Sequence, residues 1–83
     1  MSQVRYVSVR VLDSEGRPRS GARVNVWIYQ FAASGFAGEE RTDASGIAEY
    51  RLDTDNHAEI AVWVDGEERC GRGSIRAEYR VVT

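Results

Sequence analysis

The chain has 83 residues, 42% hydrophobic and 29% charged, with a formal net charge of -2. That length provides for one domain, residues 1–83, and a mixture this apolar excludes a disordered polar chain. The slightly acidic balance gives no electrostatic reason to bind nucleic acid or an anionic membrane surface.

The 11 basic residues are all arginine, so lysine chemistry is absent. Cys70 is the single cysteine and excludes an intramolecular disulfide, leaving packing to supply the stability of a small domain. Met1 to Val11 carries charge and alternation where a signal peptide or membrane span needs a continuous apolar run, so it is expected to be a strand without membrane insertion. The expected location is cytoplasmic for a full-length chain, or extracellular or cell-surface for a domain of a longer exported protein.

In chain order, Val7, Val9 and Val11 alternate with Ser8 and Arg10, the period of a strand with one buried face, and Val4 and Tyr6 have the opposite parity. Asp13 and Gly16 bracket a tight turn, Pro18 restrains the linker and Gly21 frees the backbone before the next alternation. Ala22, Val24, Val26 and Ile28 then point inward, leaving Arg23, Asn25, Trp27, Tyr29 and Phe31 outward. Residues 32–41 show no sustained period and predict a loop, ending at most in a short strand. Asp43 and Gly46 repeat the first turn device, and Ala48, Tyr50 and Leu52 form the next inward set. Asp53 to His57 predicts a polar loop. Ile60, Val62 and Val64 face inward with Glu59, Ala61 and Trp63 outward, and Asp65-Gly66 stops that strand. Glu67 to Gly73 is charged and glycine-rich, and Ile75, Ala77, Tyr79 and Val81 give the last buried face. No segment has helical periodicity.

The wording D-x-x-G-x-P-x-x-G-A-x-V-x-V from Asp13 to Val26, followed by T-D-A-x-G from Thr42 and a strand, resembles the carboxypeptidase regulatory-like domains of the transthyretin-like (prealbumin-like) β-sandwich group. The resemblance spans roughly residues 4 to 64 and rests on turn motifs. It implies an all-β, Greek-key-like sandwich of about seven strands with no essential helix. It also implies that the strands carrying Trp27 and Trp63 are neighbours in one sheet.

Three chemistries known among relatives of that group fail here residue by residue. An isopeptide cross-link needs a lysine. Hydroxyisourate hydrolases use several histidines and a Tyr-Arg-Gly-Ser ending, whereas this chain has His57 alone and ends Tyr79-Arg80-Val81-Val82-Thr83. Intradiol dioxygenases bind iron through two tyrosines and two histidines. His57, in an Asp/Asn loop, has no partner at motif spacing, and Cys70, between Arg69 and Arg72, has charges that favour a thiolate but no resolving cysteine. Asp53, Asp55 and Asn56 resemble the start of a calcium loop but lack its glycine and distant acid, so Asx turns are the better explanation. No catalytic residue, metal or cofactor is expected.

Strand parity puts Trp27, Tyr29 and Trp63 on one outer face as candidate binding residues. Either the patch is open to a partner, or the 32–40 loop with Phe36, or arginine side chains, cover it as a second core. The expected function is a non-catalytic interaction or structural accessory module, with a protein partner or self-association through the aromatic patch. The alternative is a carbohydrate-binding module using the same rings.

Overall fold

In the computed structural model, residues 3–31 and 34–83 are described. Met1 and Ser2, at the head of the expected first strand, and Ala32 and Ala33, in the expected 32–41 loop, lie outside the described residues. The rest forms seven strands: β1 (Gln3–Leu12), β2 (Arg23–Tyr29), β3 (Gly35–Arg41), β4 (Ile47–Thr54), β5 (Glu59–Val64), β6 (Glu67–Ser74) and β7 (Glu78–Val82). Three of them make one sheet in the order β4-β1-β7, and four make a second in the order β3-β2-β5-β6. β7 runs parallel to β1 and the other pairings are antiparallel. The described residues contain no helix.

The core is the set of side chains that alternation turns toward the space between the sheets. Val7, Val9 and Val11 of β1, Ala48, Tyr50 and Leu52 of β4, and Tyr79 and Val81 of β7 meet Val24 and Val26 of β2 and Ile60, Val62 and Val64 of β5. Every one of them is buried, whereas Val4, Tyr6, Trp27 and Trp63 on the opposite parity are exposed. The hydroxyl of Tyr50 joins the two layers, 2.9 Å from both the Val24 and Gly38 carbonyl oxygens. Burial pushes this hydroxyl up to about 12.

The two turn motifs have the same internal wiring. In the first, Asp13 Oδ1 accepts the Glu15 and Arg17 amides, and the Gly16 amide donates to the Asp13 carbonyl. In the second, Asp43 Oδ1 accepts the Ser45 and Ile47 amides, and the Gly46 amide donates to the Asp43 carbonyl. These bonds let a short acidic side chain replace the backbone partners that a tight turn removes. The turns lie side by side, because the Val11 amide donates to the Gly46 carbonyl at 2.7 Å and the Arg19 amide to the Val11 carbonyl at 2.9 Å. Gly46 adopts φ +77, and a Cβ there would lie 2.7 Å from the Val11 oxygen. Only glycine meets both conditions.

Four segments depart from the sequence expectation. Residues 35–41 form a full strand, β3, where a loop with at most a short strand was expected. Its pairing with β2 changes register between Asn25 and Trp27, which inserts one extra residue on the β3 side and breaks the alternation that would reveal a strand. The charged stretch from Glu67 is likewise a strand, β6, with two register shifts against β5. As a charged, bulged sheet edge it needs no apolar alternation. Of the expected last buried face, Ile75 is only partly buried and Ala77 is exposed. There the chain is crossing between sheets, and the Tyr79 hydroxyl folds back on it, donating to the Ser74 carbonyl and accepting the Arg76 amide. In the expected Asp53 to His57 loop, β4 continues through a buried Thr54, and only the residues beyond it turn.

Candidate functional site

The outer face of the four-stranded sheet is organised in cross-strand rows. Asn25 on β2 pairs with Trp63 on β5, Trp27 with Ala61, and Tyr29 with Glu59. The expected neighbour relation between the Trp27 and Trp63 strands is therefore realised. Cross-strand partners share a face, so two tryptophans and a tyrosine on adjacent strands converge there. Ala61 also has outward parity yet is 0% exposed, being small enough for larger neighbouring side chains to close over it.

Phe36 enlarges this group. The extra residue in β3 falls at Ala37-Gly38, with Gly38 at φ +103, and it makes Phe36 the partner of Trp27. In an unbroken register Phe36 would lie opposite Ile28 and point toward the core. The bulge thus turns Phe36 outward while Ala37 packs against the core. Trp27 lies 6.4 Å from Tyr29 and 6.3 Å from Phe36 between ring centres, both tilted, within the range of favourable aromatic pairs.

Asn25, Trp27, Tyr29, Phe36, Trp63 and Gly66 line a cavity of about 390 Å³. That volume lies within the ~300–1,000 Å³ usual for small-ligand clefts. Trp27 is 38% exposed, Trp63 37% and Phe36 57%, so the patch is open and Phe36 is one of its walls, extending it from the side. The alternative of a covering loop with Phe36 gives way to an edge strand with Phe36 alongside the open patch. Arginine cover is local: the Arg72 guanidinium sits 4.5 Å from the Tyr29 ring centre, held by Glu59 at 2.8 Å. Sequence parity located Trp27, Tyr29 and Trp63, but it did not bring Phe36 or Asn25 into the lining. A glycine inside a weakly alternating run, here Gly38, is the available sign of a bulge.

One edge of the cavity is fixed by the β5–β6 hairpin, whose two-residue loop Asp65-Gly66 has φ +51 and +84, the positive values a type I′ turn needs. Asp65 exchanges backbone and side-chain bonds with Arg23 and lies 3.1 Å from Arg19. The Arg23 amide and then the Arg19 guanidinium hold its carboxyl below the usual carboxylate value, with burial opposing them.

The other candidate residues do not join this face into a reactive set. His57 is exposed, and its amide donates to Asp55 Oδ1, which makes Asp55 to His57 an Asx turn beyond the end of β4. No cluster of three or more histidine, cysteine or acidic side chains that would hold a metal occurs among the described residues. The arginines that flank Cys70 in sequence do not lower its thiol. Burial pushes the thiol up, with Arg76 only partly opposing it, because the side chain packs against the core while Arg69 and Arg72 pair with Glu67 and Glu59. No described helix is long and apolar enough to cross a membrane. Comparison with protein-family models and with curated proteins finds no match.

Proposed function

We propose that the domain is a non-catalytic interaction module whose binding surface is the outer face of the β3-β2-β5-β6 sheet, with Trp27, Tyr29 and Trp63 as its energetic centre. The observation that carries this reading is the convergence of four large aromatic side chains, from three adjacent strands, around one accessible cavity. Aromatic residues gathered in an exposed patch are the usual energetic anchors of protein interfaces, and a folded chain gains no stability from leaving them in water. The accessory-domain role follows the resemblance of the turn motifs to carboxypeptidase regulatory-like, transthyretin-like domains. A module of that kind contributes binding to a larger protein or joins copies of itself.

The second reading is carbohydrate binding by the same rings. It is favoured by the Asn25 amide in the lining, a polar group placed among rings on which a sugar can stack. One double variant, Trp27→Ala/Trp63→Ala, tests both. Under the leading reading it stays folded and weakens association, measured as the concentration dependence of sedimentation or as binding to a protein ligand, by about thirtyfold or more. Under the carbohydrate reading, polysaccharide quenches the tryptophan fluorescence of wild type. An unfolded double variant, together with a strictly monomeric wild type that binds neither, would make the face a second core and remove both readings.

A further inference from the structure

One end of this face already shows what it can hold. Tyr29 on β2 and its cross-strand partner Glu59 on β5 together take a guanidinium: Arg72 lies over the ring at 4.5 Å and donates through Nε to Glu59 Oε1 at 2.8 Å. The arrangement needs only a ring and a carboxylate on paired strands, because a planar guanidinium can stack on one while bonding to the other.

The same elements recur, with no arginine of the chain in them, along the row that runs through the cavity-lining Asn25 and Trp63. Trp63 on β5 has Glu68 of β6 as its cross-strand partner on one side and Asn25 of β2 on the other, and Asn25 is in turn the partner of Glu39 on β3. One row across the sheet thus reads Glu39, Asn25, Trp63, Glu68, with an exposed carboxylate at each end. Neither Glu39 nor Glu68 has an ion-pair partner among the described residues. The nearby arginines are engaged elsewhere, Arg69 with Glu67 at 3.0 Å, Arg72 with Glu59, Arg23 with Asp65 and Arg41 with the Gly21 carbonyl. Electron-rich ring faces flanked by two free carboxylates select a cation.

The geometry points to an arginine side chain of a partner protein segment as the occupant of this cavity, its guanidinium stacked on Trp63 or Trp27 and bonded to Glu68 or Glu39. This inference rests on the interaction-module reading and names the chemistry of its partner. Lysine fits less well, since a compact, strongly hydrated ammonium cannot stack flat on a ring and bond a carboxylate through a planar fork.

The test is calorimetric titration of the whole chain with acetyl-Gly-Arg-Gly-Arg-Gly-amide and with its citrulline counterpart, which has the same shape without the charge. The arginine peptide is expected to bind about tenfold or more tightly than the citrulline peptide. Glu39→Gln and Glu68→Gln, at exposed positions whose loss leaves the fold intact by circular dichroism, each weaken the arginine peptide about two- to fivefold, and raised salt does the same to wild type. Trp63→Ala weakens both peptides. Equal affinity for the two peptides, or indifference to both glutamine substitutions, overturns the cation inference while leaving the aromatic interaction surface standing. Self-association that Trp27→Ala/Trp63→Ala abolishes, with no peptide binding, overturns it in favour of a second copy as occupant. Absence of peptide binding, glycan binding and self-association alike defeats the inference and the interaction reading together.

Discussion

Gly16 and Gly46 occupy equivalent places in two turns of identical hydrogen bonding, at φ +83 and +77, yet their surroundings differ. A Cβ at Gly16 would have no atom within 4 Å, whereas one at Gly46 would lie 2.7 Å from the Val11 oxygen, 3.1 Å from the Arg19 nitrogen and 3.1 Å from the Pro18 Cβ. Gly16→Ala therefore carries the left-handed backbone cost alone, about 1–2 kcal/mol. Gly46→Ala adds a clash that cannot be relieved by a rotamer change, because two of the three neighbours are backbone atoms. The Val11 carbonyl is also tied to the Arg19 amide, and the Val11 amide to the Gly46 carbonyl, so relief would cost hydrogen bonds that align the two turns. Overpacking of this kind adds about 1–3 kcal/mol, giving about 2–5 kcal/mol in total. A domain of this length has only about 4–12 kcal/mol of stability, so Gly46→Val, with its β-branched side chain, is expected to approach unfolding. Urea denaturation of the two alanine variants gives the comparison directly. Equal losses from Gly16→Ala and Gly46→Ala would refute the packing of the second turn against Val11.

Four further outcomes are expected. Val26→Asp places a charge in the fully buried face and unfolds the domain, while Asn25→Asp on the outer face leaves the melting curve nearly unchanged; equal damage from both would contradict the β2 register. Tyr50→Phe removes the one hydroxyl donor that lies between the Val24 and Gly38 carbonyls and costs about 1–3 kcal/mol at neutral pH. Because burial raises the Tyr50 value from 10.0 to about 12, its contribution is complete below pH 10 and is lost as pH rises to about 12, by at most about 2–3 kcal/mol, so wild type should lose more urea resistance between pH 9 and about pH 11 than Tyr50→Phe does. Cys70, with its thiol raised by burial, should react with iodoacetamide more slowly at neutral pH than in unfolded chain, and a faster reaction in the folded state would show an activated thiol instead.

What the sequence made legible follows from where two-residue periodicity survives. In β1, β2, β4 and β5 the alternation is unbroken, and Val9, Val26, Leu52 and Val62 could be placed on the buried side from parity alone. The Asp-to-Gly turns were equally readable, since an Asx side chain and a glycine at fixed spacing specify their own hydrogen bonds. β3 and β6 failed for one common reason. Both are sheet edges, joined to a neighbour on one side only, and both carry bulges that shift parity within the strand. Gly38 and Gly71 in a charged run therefore look like loop residues, although the backbone pairing is maintained around them.

The same bulge explains why only part of the candidate site could be read ahead. Trp27, Tyr29 and Trp63 lie on unbroken strands, so parity alone put them outward, and the sheet order then made them neighbours. Phe36 reaches the face only because one additional residue at Ala37-Gly38 reverses its side, and Glu39 keeps the same face as Phe36 for that reason. With strict alternation the two residues, three positions apart, would point to opposite sides. The edge irregularity that hides β3 from a periodicity argument thus sets an aromatic wall and a free carboxylate on one surface. Gly38→Val puts a β-branched residue at φ +103 and should destabilise the bulge, since the regular pairing that avoids this φ would turn Phe36 inward toward the Ile28 side. If arginine-peptide binding and stability both survived that substitution, the bulge would have no part in building the face.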